Sequence, residues 1–169
     1  MKTLLTVDDS KVVRTMVIRH LADYDITVLE AVDGLDGVRT ARRGRPDLIL
    51  LDITMPVMDG WRALEELRKD RATQSIPVIM LTVESGRDLL MEADELVVAG
   101  CIVKPFRKET LEREVLKALS AAAGEEADRD PNGPVDRRAV LVVDDSERVL
   151  AGAEDALPSS KAGGIWPKR

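Results

Sequence analysis

Aromatic residues are scarce in this sequence, with two Trp, one Tyr and one Phe among 169 residues. Single-stranded nucleic acids are held on stacked rings, and duplexes on an excess of Lys and Arg that neutralises phosphates. Here 25 Lys and Arg face 31 Asp and Glu, a formal net charge of −6, so the composition argues against direct contact with nucleic acid. Cysteine is nearly absent. Cys101 alone cannot close an internal disulfide, and a single thiol fits a reducing compartment. The one histidine, His20, has no Ser, Cys or metal-ligand partner at a useful spacing and reads as a surface or boundary residue. Long apolar runs are missing too. Thr3 to Val7 stops at Asp8 and Asp9, too soon for a signal peptide, and Leu96 to Val103 stops at Lys104. Both are far short of the roughly 20 residues of a spanning helix. The expectation is a cytoplasmic protein with no insertion into a membrane.

What is present is 44% hydrophobic and 33% charged residues, a balance that supports a packed core. Short buried-strand runs alternate with helix-length amphipathic stretches, the pattern of a parallel sheet covered on both faces. Strands are expected at Thr3 to Val7, Ile26 to Glu30, Asp47 to Leu51, Pro77 to Leu81 and Cys101 to Val103. Helices are expected at Lys11 to Ala22, Leu35 to Arg43, from Asp59-Gly60 through Leu67, at Arg87 to Leu96 and at Thr110 to Ala121. In the first helix Val13, Met16, Val17 and Leu21 recur at helical spacing. The result is one α/β domain over residues 1–122, five strand-helix units long.

From residue 123 to 138 the chain turns to Ala, Gly, Pro and dense charge, a composition that reads as a linker. Beyond it the beginning of the chain returns. Leu141-Val142-Val143-Asp144-Asp145-Ser146 matches Leu5-Thr6-Val7-Asp8-Asp9-Ser10, and Val149 matches Val13. Residues 139–169 are expected to hold the strand and helix of a partial second copy followed by a disordered tail, because the counterpart of Asp52 would fall beyond Arg169. A lone strand and helix cannot enclose an α/β core, so they must stay disordered, dock on the first domain, or swap into another chain.

Ligands of open parallel α/β sheets sit outside the carboxyl ends of the strands, which makes the residues just after each run informative. Those residues are Asp8 and Asp9, Asp52, Thr82, and Lys104 followed by Pro105. An Asp pair after a strand is often only a helix cap. Three carboxylates, a hydroxyl and an ammonium at matching strand ends form a far more specific pattern. Converging carboxylates repel one another and raise one another's pKa unless a cation relieves them. Mg2+, a hard ion held by carboxylates, waters and a phosphate, suits such a group. Phosphate is then the expected substrate group. Lys104 and Thr82 can meet its oxygens and one carboxylate can serve as nucleophile.

VDDS at 7–10, LLDITMPVMDGW at 50–61, Thr82 and KPF at 104–106 resemble the receiver domain of two-component response regulators in type, order and spacing. The resemblance covers about residues 1–122. It implies a doubly wound, flavodoxin-like parallel sheet of five strands in the order 2-1-3-4-5. It implies a phosphoryl group passed to Asp52 from a histidine kinase or a histidine phosphotransfer protein. Mg2+ would be held by Asp9, Asp52 and the main-chain carbonyl of Thr54, with Asp8 assisting through water. Thr82 and Lys104 would sense the phosphoryl group and shift the face formed by the fourth helix, fifth strand and fifth helix, where a downstream protein partner docks. Such a protein is a phosphoacceptor that catalyses its own phosphorylation and slow dephosphorylation, not an enzyme acting on a separate substrate. Residues 123–169 leave no room for a DNA-binding output unit, which points to signalling through protein partners or a phosphorelay. Self-association as a homodimer is compatible with the reading.

Some positions depart from the family pattern. Cys101 stands where an aromatic switch residue is common, which weakens the expectation of aromatic rotamer coupling. Val83 is bulkier than the small residue often found after Thr82 and is expected to narrow access to Asp52. Val97 and Val98 replace a common Gly-Ala pair. Thr54 and Glu84, each two residues beyond a site residue, are candidates for tuning the phosphoryl lifetime. The rival readings are a phosphorylation-independent adaptor and a phosphohydrolase with an aspartyl-phosphate intermediate. The second is disfavoured because Thr54 stands where its general acid would be.

Overall fold

A computed structural model of the chain describes residues 1–83 and 98–125, and the backbone of residues 142–143 and 149–150. Strands β1 (Lys2–Val7), β2 (Ile26–Ala31), β3 (Leu48–Asp52), β4 (Val78–Thr82) and β5 (Gly100–Val103) are parallel and lie in the order β2-β1-β3-β4-β5. Helices α1 (Lys11–His20), α2 (Gly34–Gly44), α3 (Gly60–Lys69) and α4 (Lys108–Glu125) connect or follow them. The helix expected at Arg87 to Leu96 lies outside the described residues, as do Glu84 and Val97. No helix among the described residues is long and apolar enough to cross a membrane.

The strands read as continuous apolar runs because both faces of the sheet are covered. In β3, Ile49 and Leu51 join one core cluster with Val38 and Ala41 of α2 and Ala63, Leu64 and Leu67 of α3. Leu48 and Leu50 join the opposite cluster with Val17 of α1 and Leu111, Val115 and Leu119 of α4. The parallel sheet covered on both faces that periodicity implies, and the doubly wound 2-1-3-4-5 order that the resemblance implies, are the observed ones over the described residues. Element ends differ by a residue or two. Asp52 and Thr82 are the last residues of β3 and β4 instead of the first residues after them, because each still pairs with its neighbour: Asp52 with Leu81, and Thr82 with Val103.

Helix starts follow local chemistry. Ser10, Asp33 and Asp59 occupy the caps of α1, α2 and α3, and their side chains accept from the backbone N–H of Val13, Asp36 and Arg62. The last helix runs past Ala122 to Glu125, into the stretch that composition assigns to a linker.

The C-terminal copy requires a correction. A partial second copy is not supported; Val142 and Val143 form only a two-residue strand, β6 (Val142–Val143), which pairs parallel with β5 through Cys101↔Val142 and Ile102↔Val143. At Val149 and Leu150, where a helix is expected, the chain is extended. Val149 and Leu150, counterparts of Val13 and Arg14, form β7 and return antiparallel to β6. In α1, Val13 packs against the core and Arg14 bonds to Glu30 and to the loop after β1. Val149 and Leu150 instead pair with β6, which itself lies on the edge of β5.

Candidate functional site

Strand order reverses between β1 and β3, so the helices after these two strands leave to opposite faces and open a crevice at their carboxyl ends. Asp8 and Asp9 follow β1 and Asp52 ends β3, which places all three at that crevice. One carboxylate oxygen from each lies within 4.8 Å of the others.

The three acids are held differently. Asp8 is fully buried; its backbone N–H donates to the Ala31 carbonyl at 3.2 Å and its Oδ1 accepts from the Ser10 N–H at 2.8 Å. Asp52 is 5% exposed, and Asp9 faces solvent. Lys104, just beyond β5, reaches across the sheet: its Nζ lies 2.6 Å from Asp8 Oδ2 and 2.9 Å from Asp52 Oδ1. Thr82 is buried at the end of β4, and its carbonyl accepts from the Lys104 N–H, which ties the lysine to the neighbouring strand. The Lys104–Pro105 peptide is cis.

Burial pushes the Asp52 carboxyl above the ordinary Asp range; Lys104 pulls it back by hydrogen bond and charge, Asp8 adds to the rise, and the Thr54 N–H opposes it. Three carboxylates against one ammonium leave the crevice short of positive charge, and oxygen donors in this number suit a hard divalent cation.

The chain from Ile53 to Asp59 forms the rim. Gly60 opens α3 with its N–H donating to the Ile53 carbonyl at 2.9 Å. A Cβ at Gly60 would stand 2.2 Å from the Asp52 carbonyl oxygen. Val57 has φ 68°, a left-handed conformation that β-branched residues rarely adopt, and is 77% exposed. Val57→Asn, which tolerates that conformation, is expected to raise the urea midpoint by an amount worth about 1 kcal/mol. An unchanged or lower midpoint would show that the loop is not strained there.

Every site residue expected from sequence thus reaches this end of the sheet: Asp8, Asp9, Asp52, Thr82 and Lys104 at the crevice, and Thr54 exposed on its rim. Val83 is 68% exposed beside Thr82. Cys101 is buried in the core, and its thiol is pushed up to about 12 by that burial, so it is chemically quiet. Trp61 packs against the core, and His20 ends α1 with Nδ1 buried and unpartnered among the described residues. Sequence reasoning missed Arg14. It falls on the buried stripe of α1 with Val17, whereas Val13 and Met16, expected there, are only half-buried. The spacing 14, 17, 21 carried that signal.

A family model described as response regulator receiver domain matches residues 4–116. The chain belongs to that family. Protein PilH of Pseudomonas aeruginosa is 35% identical over 121 residues, 72% of this chain and 97% of PilH. Among solved structures, the chemotaxis protein CheY4 of Vibrio cholerae is 34% identical, with a TM-score of 0.67 over 70% of this chain and 98% of that one. The receiver domain of a sensor histidine kinase from Pseudomonas aeruginosa, with a magnesium ion coordinated in its active-site cleft, is 28% identical. Its TM-score is 0.65, over 70% of this chain and 98% of that one. The family is one of two-component signalling proteins, not of classical enzymes.

Proposed function

We propose that this receiver accepts a phosphoryl group on Asp52 from the phosphohistidine of a histidine kinase or histidine phosphotransfer protein, in a Mg2+-dependent reaction. The observation that carries the reading is the joint geometry of Asp8, Asp9 and Asp52 with Lys104 bridging two of them. An Asp52 carboxylate oxygen attacks phosphorus, the P–N bond breaks, and the electron pair leaves with the imidazole nitrogen of the donor, which then takes a proton. The product is an acyl phosphate. Asp9, Asp52 and the Thr54 carbonyl would hold Mg2+, with Asp8 assisting through water. The ion supplies positive charge against the phosphoryl oxygens.

Lys104 serves the transfer from its present place. Its ammonium sits on Asp52 and is positioned to follow a phosphoryl oxygen once the carboxylate is esterified, while Thr82 offers its hydroxyl from the adjacent strand. Movement of Lys104 and Thr82 would pass the event to the surface around β5 and α4, where a downstream protein docks. Thr54 and Glu84 would set the lifetime of the acyl phosphate, and Val83 would narrow access to it.

Intact mass after incubation with a small-molecule phosphodonor, with and without Mg2+, tests the reading. The expected result is a Mg2+-dependent gain of one phosphoryl group by the wild type and none by Asp52→Asn. A folded wild type that stays unmodified by the small donor and by a panel of histidine kinases would favour a phosphorylation-independent adaptor.

A further inference from the structure

Asp9 is the least supported of the three acids. Among the described residues its carboxylate takes part in no hydrogen bond or ion pair, whereas Asp8 is held by Ser10 and Lys104 and Asp52 by Lys104. Its direction is therefore set by its own backbone. Two side chains anchor that backbone among the described residues: Asp8 Oδ1 accepts from the Ser10 N–H, and Arg14 donates to the carbonyls. The Arg14 guanidinium is folded back from α1 beneath the loop, with Nη1 donating to the Asp8 carbonyl at 2.8 Å and to the Asp9 carbonyl at 3.3 Å. Nε donates to Glu30 Oε2 at 2.9 Å, and the Arg14 side chain is only 10% exposed. Glu30 lies on β2 opposite Thr6 of β1, so the far end of the arginine is fixed to the sheet.

The geometry points to Arg14 as a positioning residue for the metal site: by gathering two successive carbonyls it fixes two peptide planes, and with them the direction in which Asp9 projects its carboxylate. Groups that orient a metal ligand without touching the metal commonly control affinity by about 10- to 100-fold. The planar fork of arginine suits the task because one rigid group spans three acceptors, which a lysine ammonium cannot do at this spread.

The inference rests on the phosphoacceptor reading and differs in sign from a simple charge effect. Removing a cation near the crevice should tighten Mg2+ binding; releasing the loop should weaken it. Calorimetric titration with Mg2+, alongside melting in EDTA, is made on the wild type, Arg14→Gln, Arg14→Lys and Glu30→Ala. The clamp predicts Mg2+ dissociation constants raised about tenfold or more for Arg14→Gln. Partial recovery is expected in Arg14→Lys, and at least about a threefold weakening in Glu30→Ala. A lower melting temperature in EDTA with Mg2+ affinity within twofold of wild type, or tighter, would reduce Arg14 to a structural role and overturn the proposal. Should Arg14→Gln fail to fold, Arg14→Lys decides, since it keeps the charge and loses the fork: affinity weakened about threefold or more supports the clamp, and unchanged affinity overturns it equally. A wild type that takes up no Mg2+ would remove the phosphoacceptor reading itself, and the clamp with it.

Discussion

Gly60→Ala is expected to lower the stability of the protein by about 3 kcal/mol, near the upper end for overpacking by one methyl group. Intrinsic propensity points the other way, since Ala is the better helix former by about 1 kcal/mol. The difference lies in what the methyl group meets. It would stand 2.2 Å from the Asp52 carbonyl oxygen, 2.8 Å from Ile53 Cα and 3.0 Å from the Asp52 carbonyl carbon. All three are backbone atoms, which have no rotamer to escape into. Relief requires that α3 draw back or that the end of β3 bend, and β3 is held between β1 and β4. Because the displaced residue is the proposed nucleophile, phosphorylation is expected to slow by about 100-fold, the scale of a misplacement of about 1 Å. Urea unfolding and the rate of mass gain check both claims. A stabilised variant with a normal rate would show that α3 does not press on Asp52.

Lys104→Met should give the second large effect, in a form that depends on pH and on Mg2+. The side chain stays unbranched and is one atom shorter, but it leaves fully buried Asp8 and nearly buried Asp52 without their shared cation. Removing one partner of a buried ion pair is costly because the other charge stays behind. The crevice is open on one side, so a loss of about 2–3 kcal/mol at neutral pH is expected, below the 3–5 of fully enclosed pairs.

The direction with pH follows from Asp52. Burial and Asp8 raise its pKa and Lys104 opposes them, so the variant raises it further. A carboxyl with a folded pKa above its unfolded value near 3.8 binds the extra proton in the folded state. Its contribution to stability is full below that value and is lost as pH rises through the folded pKa. The deficit of Lys104→Met relative to wild type should therefore shrink as pH falls from 7 towards about 4 and widen above. Saturating Mg2+ at neutral pH should recover much of it by binding the folded state alone. Unfolding curves across that range, with EDTA and with Mg2+, measure this, and a deficit constant in pH would contradict it.

These residues also show how far the sequence could be read. Asp8, Asp9, Asp52, Thr82 and Lys104 were legible because each interrupts an apolar run at the same end of its strand, and such interruptions are local. Gly60 was legible as the start of a helix but not as a close contact, since its neighbour is the main chain of another element. Arg14 was hidden in plain periodicity: it shares the buried stripe with Val17 and Leu21, yet a charged residue is ordinarily assigned to the solvent face. The strand formed by Val149 and Leu150 was not legible. Val149 matches Val13 of α1 yet is extended beside β6, because pairing along a strand edge is not encoded in local periodicity.

Sequence alone determined the alternation of strands and helices over the described residues, a parallel sheet covered on both faces and the identity of the acids, because periodicity and capping act over a few residues; the doubly wound order came from the resemblance. Tertiary structure decided which acid is buried and which faces solvent, that Lys104 joins Asp8 to Asp52, and that Arg14 lies beneath the loop. The lysine and Asp8 are 96 positions apart in the chain. Such a contact comes from the register of parallel strands packed in a nonsequential order, and no local pattern encodes it.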